Sequence, residues 1–217
     1  MDALYWRGSH NRGITPVKTK EPYLIKVIMQ NDAYAFYKLF EYPIIDVNVC
    51  EYHGLKRTPL MVAVKEAPEF VPTLLKYLGI DINAVDYNGN NALYYASYSL
   101  PRRDPIRKQN YISLIHAGIN VNNCDNTGKS ILIHIVEDYG LINYGYYYVY
   151  ILLDAGADLF LRDHSGYSAY DYAKKGLKHY INKFCLQKAM TDGYLSILPK
   201  DIREYIQLFS FFCNKKY

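Results

Sequence analysis

No stretch of this 217-residue chain is long and apolar enough to cross a bilayer. The longest candidate, Leu141 to Leu153, is broken by Asn143 and Gly145 and falls short of the roughly 20 residues a spanning helix needs. Cysteine is scarce. Cys50, Cys124, Cys185 and Cys213 are scattered without a C-x-x-C pair, which excludes a disulfide framework and a zinc site and reads as reduced, intracellular thiols. The six histidines (His10, His53, His116, His134, His164 and His179) never fall at H-E-x-x-H or another ligand spacing. No metal, cofactor or catalytic residue is expected, so the chain does not read as an enzyme. Thr127-Gly128-Lys129-Ser130 ends like a phosphate-binding loop, but the earlier glycine of that motif would fall at Asn123. Residues 1–20 hold no apolar run, so no signal peptide is expected and the protein is placed in the cytosol, the nucleus or both. A net charge of +4 is too mild for a dedicated nucleic-acid binder.

What is present is repetition. Thr58-Pro59-Leu60-Met61-Val62-Ala63 is echoed by Asn91-Ala92-Leu93-Tyr94-Tyr95-Ala96, Ser130-Ile131-Leu132-Ile133-His134-Ile135 and Ser168-Ala169-Tyr170-Asp171-Tyr172-Ala173. A fainter copy, Glu21-Pro22-Tyr23-Leu24-Ile25-Lys26-Val27, precedes them. The starts at 21, 58, 91, 130 and 168 lie 37, 33, 39 and 38 residues apart. Units of that period cannot bury an apolar face alone, so neighbours must stack and share a core.

Each copy has one grammar. A polar turn comes first, with glycine where a positive φ is needed: Gly54, Gly89, Gly128 and Gly166. Thr58, Asn91, Ser130 and Ser168 then stand as N-caps, and Pro59 takes the first helical position, where its missing N–H costs nothing. A second helix follows, with Leu74, Leu75 and Leu78, then Ile112, Leu114 and Ile115, then Ile151, Leu152 and Leu153 on its apolar face. Gly79, Gly118 and Gly156 sit where these helices would end in a left-handed cap.

Over roughly residues 21–187 the pattern resembles ankyrin-repeat proteins, best at Arg57-Thr58-Pro59-Leu60 and Leu152-Leu153-Asp154-Ala155-Gly156-Ala157-Asp158. The expectation is an all-α solenoid of about five helix-pair repeats with β-hairpin loops, preceded by an extension over 1–20 and followed by a helical segment over 188–217. Ser99 to Pro105 and Asp138 to Gly145 lengthen the third and fourth units, and such inserted loops are often where partners touch. Arg102, Arg103, Arg107 and Lys108 in and beside the first insertion read either as a solvated loop or as contacts for an acidic partner. Tyr144, Tyr146, Tyr147, Tyr148 and Tyr150, placed before the second helix of the fourth unit, divide between core and interface, as do Tyr94, Tyr95 and Tyr98. At the turn tips Tyr87, Asn88, Asn126 and His164 are candidate target contacts, joined by Arg102, Arg103, Arg107, Tyr144 and Tyr146.

After Thr191-Asp192-Gly193, which reads as a hinge, the segment Leu195 to Phe212 has its own pattern. Pro199 can open a helix, Asp201 suits its positive end, and Ile202, Tyr205, Ile206 and Phe209 fall on one face. One reading is a lid over the last repeat. The other rests on Leu198-Pro199-x-Asp-Ile202-x-x-x-Ile206, which resembles the opening of an F-box. Ankyrin units followed by a short F-box-like terminus resemble the poxvirus ankyrin proteins with a PRANC terminus. That resemblance implies a host protein as target and a host-cytoplasmic adaptor. It also implies that Leu198, Pro199, Ile202, Tyr205, Ile206 and Phe209 dock the Skp linker subunit of a cullin–RING ubiquitin ligase, antagonising innate defence. A ligase-independent decoy that sequesters a host signalling factor is the alternative.

Overall fold

Apolar residues at helical spacing, each group preceded by a capping side chain, fold this chain as helices. The computed structural model describes residues 22–42, 45–98, 104–139 and 143–192. These residues form two compact units, one ending at Ile131 and the other beginning at Leu132.

The first unit contains α1 (Tyr23–Met29), α2 (Ala33–Leu39), α3 (Pro59–Glu66), a one-turn 3-10 helix (Pro68–Phe70), α4 (Val71–Lys76), α5 (Ala92–Tyr98) and α6 (Pro105–His116). α3 packs between α1 and α5, while α2, α4 and α6 back onto α1, α3 and α5 respectively. Three helix pairs therefore stack in a row, as the repeat period predicts. The middle helix is apolar all round because it has neighbours all round. Pro59 through Val64 are all buried, each large side chain contributing roughly 1.5–3 kcal/mol. On the outer side, the buried rings of Phe36 (α2) and Phe70 stack at 4.0 Å, and the Asn110 amide of α6 donates to the Pro68 carbonyl at 2.6 Å.

Three of the expected caps, Thr58, Asn91 and Ser168, are formed. Thr58 Oγ1 accepts from Met61 N, and Pro59 follows at the first helical position. Asn91 Oδ1 accepts from Leu93 N at 3.1 Å. Ser168 and Asp171 form a reciprocal capping box. All seven glycines named from the repeat, from Gly54 to Gly166, have φ between +75° and +88°.

The second unit contains α7 (Ile131–Tyr139), which begins at the junction, α8 (Asn143–Asp154), α9 (Ala169–Tyr172) and α10 (Lys175–Asp192). α8 packs on α10, with Tyr146 edge-on to Tyr180 and Tyr150 edge-on to Phe184 at 5.1 and 5.2 Å between centroids. Lys188 bonds the Asp154 carboxylate and carbonyl at the end of α8. Val149, Leu152, Leu177 and Ile181 fill the seam.

Four expectations are corrected. The β-hairpins are absent among the described residues, which hold only single antiparallel bridges, Cys124 to Ser130 and Arg162 to Ser168. Leu78 is not on a buried helix face: α4 ends at Lys76 and Leu78 is 94% exposed. The tyrosines from 144 to 150 lie inside α8 rather than ahead of it. The first two hinge residues, Thr191 and Asp192, fall within α10, which runs without a break from Lys175 to Asp192 with Leu177, Ile181 and Phe184 on one face.

Candidate functional site

The turns between repeats build the surface that they leave exposed. In the turn from Asp86 to Asn90 the Asp86 N–H donates to the Asn90 carbonyl at 2.9 Å. In a hairpin the Asn90 N–H would return the bond to Asp86 across the ladder. Here it donates instead to the Asp86 carboxylate at 2.8 Å, which also accepts from Asn88 N. Asp125 with Lys129 and Asp163 with Tyr167 repeat the arrangement. In the longer turn from Glu51 to Arg57 the extra reach of Glu serves, its carboxylate accepting from Arg57 N at 3.1 Å. Beyond two of these turns the pairing goes as far as the single bridges Cys124 to Ser130 and Arg162 to Ser168.

These carboxylates are also engaged from the helix side. The hydroxyl of Tyr95, on α5, donates to the second oxygen of Asp86, and Tyr172, on α9, does the same to Asp163 at 2.7 Å. Burial, then the bond to Asp86, raises the Tyr95 hydroxyl pKa above the ordinary tyrosine value. Glu51 is held by the Arg57 guanidinium through two bonds of 2.9 and 2.6 Å, which raise the arginine further despite its burial. Arg57 also lies 5.9 Å above the Tyr95 ring. Glu51, Asp86 and Asp163 are therefore buried, at 6%, 5% and 5% exposure.

In the first unit, successive turns are bonded to one another. Tyr87 N donates to the Leu55 carbonyl, and Asn126 N to the Asn88 carbonyl, each at 2.8 Å. Asparagines behind the tips tie one repeat to the next: Asn48 Oδ1 accepts from Asp81 N, and Asn83 Oδ1 from Asn120 N. With the acids turned inward, the outward side chains are Tyr52, His53, Leu55, Lys56, Val85, Tyr87 and Asn88. Tyr87 is 73% exposed. The result is a rigid, aromatic-aliphatic ridge with Lys56 at its edge, the composition that anchors protein interfaces.

The expected target contacts separate accordingly. Tyr87 and Asn88 stand on this ridge, and His164 is exposed at the turn of the second unit. Asn126 is exposed, but its amide braces the neighbouring turn through the Tyr87 carbonyl at 2.9 Å. Arg107 serves the fold: its guanidinium donates to the Val64 and Lys65 carbonyls at the end of α3, at 3.2 and 2.8 Å, and pairs with Asp104. Tyr146 is half-buried against Tyr180, and Tyr144 is helical, its side chain outside the described set. Tyr95 is core, and Tyr94 is half-buried edge-on to it. Arg102, Arg103 and the tail residues Leu198, Pro199, Ile202, Tyr205, Ile206 and Phe209 lie outside the described residues.

Sequence reasoning missed Tyr52 and Leu55, which complete the ridge. It also missed the Asp–Tyr pairs, whose signal is a tyrosine nine residues after the turn aspartate. Among the described residues no group of three or more His, Cys, Asp or Glu could hold a metal ion.

The family model described as Ankyrin repeat matches residues 56–87, which span α3, α4 and the tip at Tyr87. That match makes the region a protein-interaction module. No curated protein matches the chain.

Proposed function

We propose that this protein is a non-enzymatic adaptor that captures a second protein on the turn-tip ridge of its first unit. We further propose that it delivers the captured protein through Leu198 to Phe209 to a Skp–cullin–RING ubiquitin ligase. The observation that carries the capture is the ridge of Tyr52, Leu55, Val85 and Tyr87, built on an ankyrin repeat whose turn acids are engaged inward. Delivery rests on the F-box-like spacing of the tail. Ubiquitin transfer would then follow from proximity, since tethering raises the effective concentration of target lysines near the conjugating enzyme. The setting implied is a host cytoplasm, and the consequence is removal of a host defence factor.

Affinity capture with the full chain tests both halves. Tyr87→Ser with Leu55→Ser should release the target and keep the linker subunit. Pro199→Ala with Ile202→Asp should release linker and cullin and keep the target. Target capture with no linker on the wild-type chain would leave the decoy reading. Target retention by the Tyr87/Leu55 variant would refute the ridge.

A further inference from the structure

The second unit carries a concentration of charge that neither the repeat pattern nor the ridge explains. From Lys174 to Met190 the chain contains five lysines and no acid, so against a whole-chain charge of +4 the remainder sums to −1. α10 sorts these lysines by face. Leu177 and Ile181 are buried, which fixes its inward side. Two lysines beside that side are held locally: Lys178 lies 5.1 Å over the Tyr170 ring, and Lys188 pairs with Asp154. Lys175, His179 and Lys183, four residues apart, line the opposite side and are exposed. The two lysines stand two helical turns, about 12 Å, apart on this side, with His179 between them. Neither Lys175 nor Lys183 has an ion-pair partner among the described residues, and Lys174 beside them has none either.

We propose that this outer face of α10 is a second docking surface, separate from the turn-tip ridge, for an acidic polypeptide segment with carboxylates about two helical turns apart. Charge complementarity selects the occupant. Carboxylates eight residues apart on a helix lie ~12 Å apart, the separation of Lys175 and Lys183. Nucleic acid is disfavoured by number: a few lysines in one row fall well short of the roughly 6–10 phosphate contacts of a salt-sensitive DNA binder. α10 cannot insert into a lipid surface either, because its apolar side is already packed within the unit. The surface stands whether or not the ridge captures a target.

The test uses the full chain and a fluorescein-labelled helical peptide with Glu at every fourth position, followed by anisotropy at low salt. Lys175→Gln with Lys183→Gln should weaken binding roughly tenfold, and the difference should shrink toward 0.5 M salt as screening shortens to about 4 Å. Lys26→Gln with Lys76→Gln removes the same charge from exposed sites in the first unit and should change little. Should the first pair lower the melting temperature, Lys175→Arg with Lys183→Arg keeps the charge and must keep the binding. Equal losses from both glutamine pairs, or no peptide binding at low salt, would overturn the proposal. So would tighter binding of a 20-nucleotide single strand that is lost with Lys175 and Lys183, because the surface would then be a phosphate site.

Discussion

A methyl group added at Gly89 probes the bonding between turns that makes the ridge rigid. Gly89 has φ +83°, a conformation that costs an L-residue roughly 1–2 kcal/mol, partly offset by about 0.4–1 kcal/mol of lost freedom in the unfolded chain. Gly118 has φ +87° and nothing within 4 Å of an added Cβ, so Gly118→Ala isolates that backbone cost at about 1 kcal/mol. At Gly89 the methyl would also sit 2.9 Å from Asn126 Oδ1, 3.1 Å from Asn126 N and 3.1 Å from Asp125 Cα. Asn126 cannot step aside freely, because its N–H and its amide hold the Asn88 and Tyr87 carbonyls. Relief sacrifices one or both bonds, adding roughly 1–2 kcal/mol. Gly89→Ala should therefore cost about 2–3 kcal/mol against about 1 for Gly118→Ala. At about 2–4 °C per kcal/mol for a chain of this size, that is a melting shift of roughly 4–12 °C against 2–4 °C. Hydrogen exchange should show lost protection at the Asn126 amide in the Gly89 variant alone. Equal melting shifts with intact Asn126 protection would refute the view that adjoining turns brace each other.

The remaining predictions follow from side chains engaged within the fold. Arg107→Ala should destabilise the first unit by about 1–3 kcal/mol in urea unfolding, because two carbonyls at the end of α3 lose a charged donor; Arg107→Lys should recover only part, lacking the planar fork. Burial pushes the Cys185 thiol up to about 11, so at pH 8 roughly one molecule in a thousand holds it as thiolate. Iodoacetamide with peptide-mass readout should thus alkylate exposed Cys50 before Cys185, and equal rates would contradict the packing of α10. The Ser168 N–H, then its hydroxyl, hold the Asp171 carboxyl below the usual carboxylate value. A depressed folded pKa contributes stability above the unfolded value and loses it as pH falls, so wild type should soften from about pH 5 downward. Asp171→Asn should flatten that acid limb, and an unchanged limb would place the titration elsewhere.

Much of the fold was legible because it obeys short-range rules. Seven glycines had to turn left-handed because the chain reverses or ends a helix there, and the steric penalty for any other residue is local. Thr58, Asn91 and Ser168 had to cap because each stands one residue ahead of an apolar run and carries an oxygen that reaches back to it. The hairpins shrank to single bridges, while the turn carboxylate closes the tip by taking the N–H of the residue four places on.

Where each tyrosine lies was decided only by the tertiary structure. Tyr87 and Tyr95 belong to the same repeat, yet one crowns the ridge and the other is buried on Asp86. A phenol has an apolar body and a polar tip, so either place satisfies it and the neighbours choose. Leu78 illustrates the same limit, since α4 stops two residues short of it and leaves its pattern without a helix to sit on. The lysine row needed α10 to pack through Leu177 and Ile181 before its opposite face had a direction. Local sterics and capping chemistry wrote the repeat into the sequence; long-range packing settled which of its amphipathic side chains meet a partner and which hold the fold.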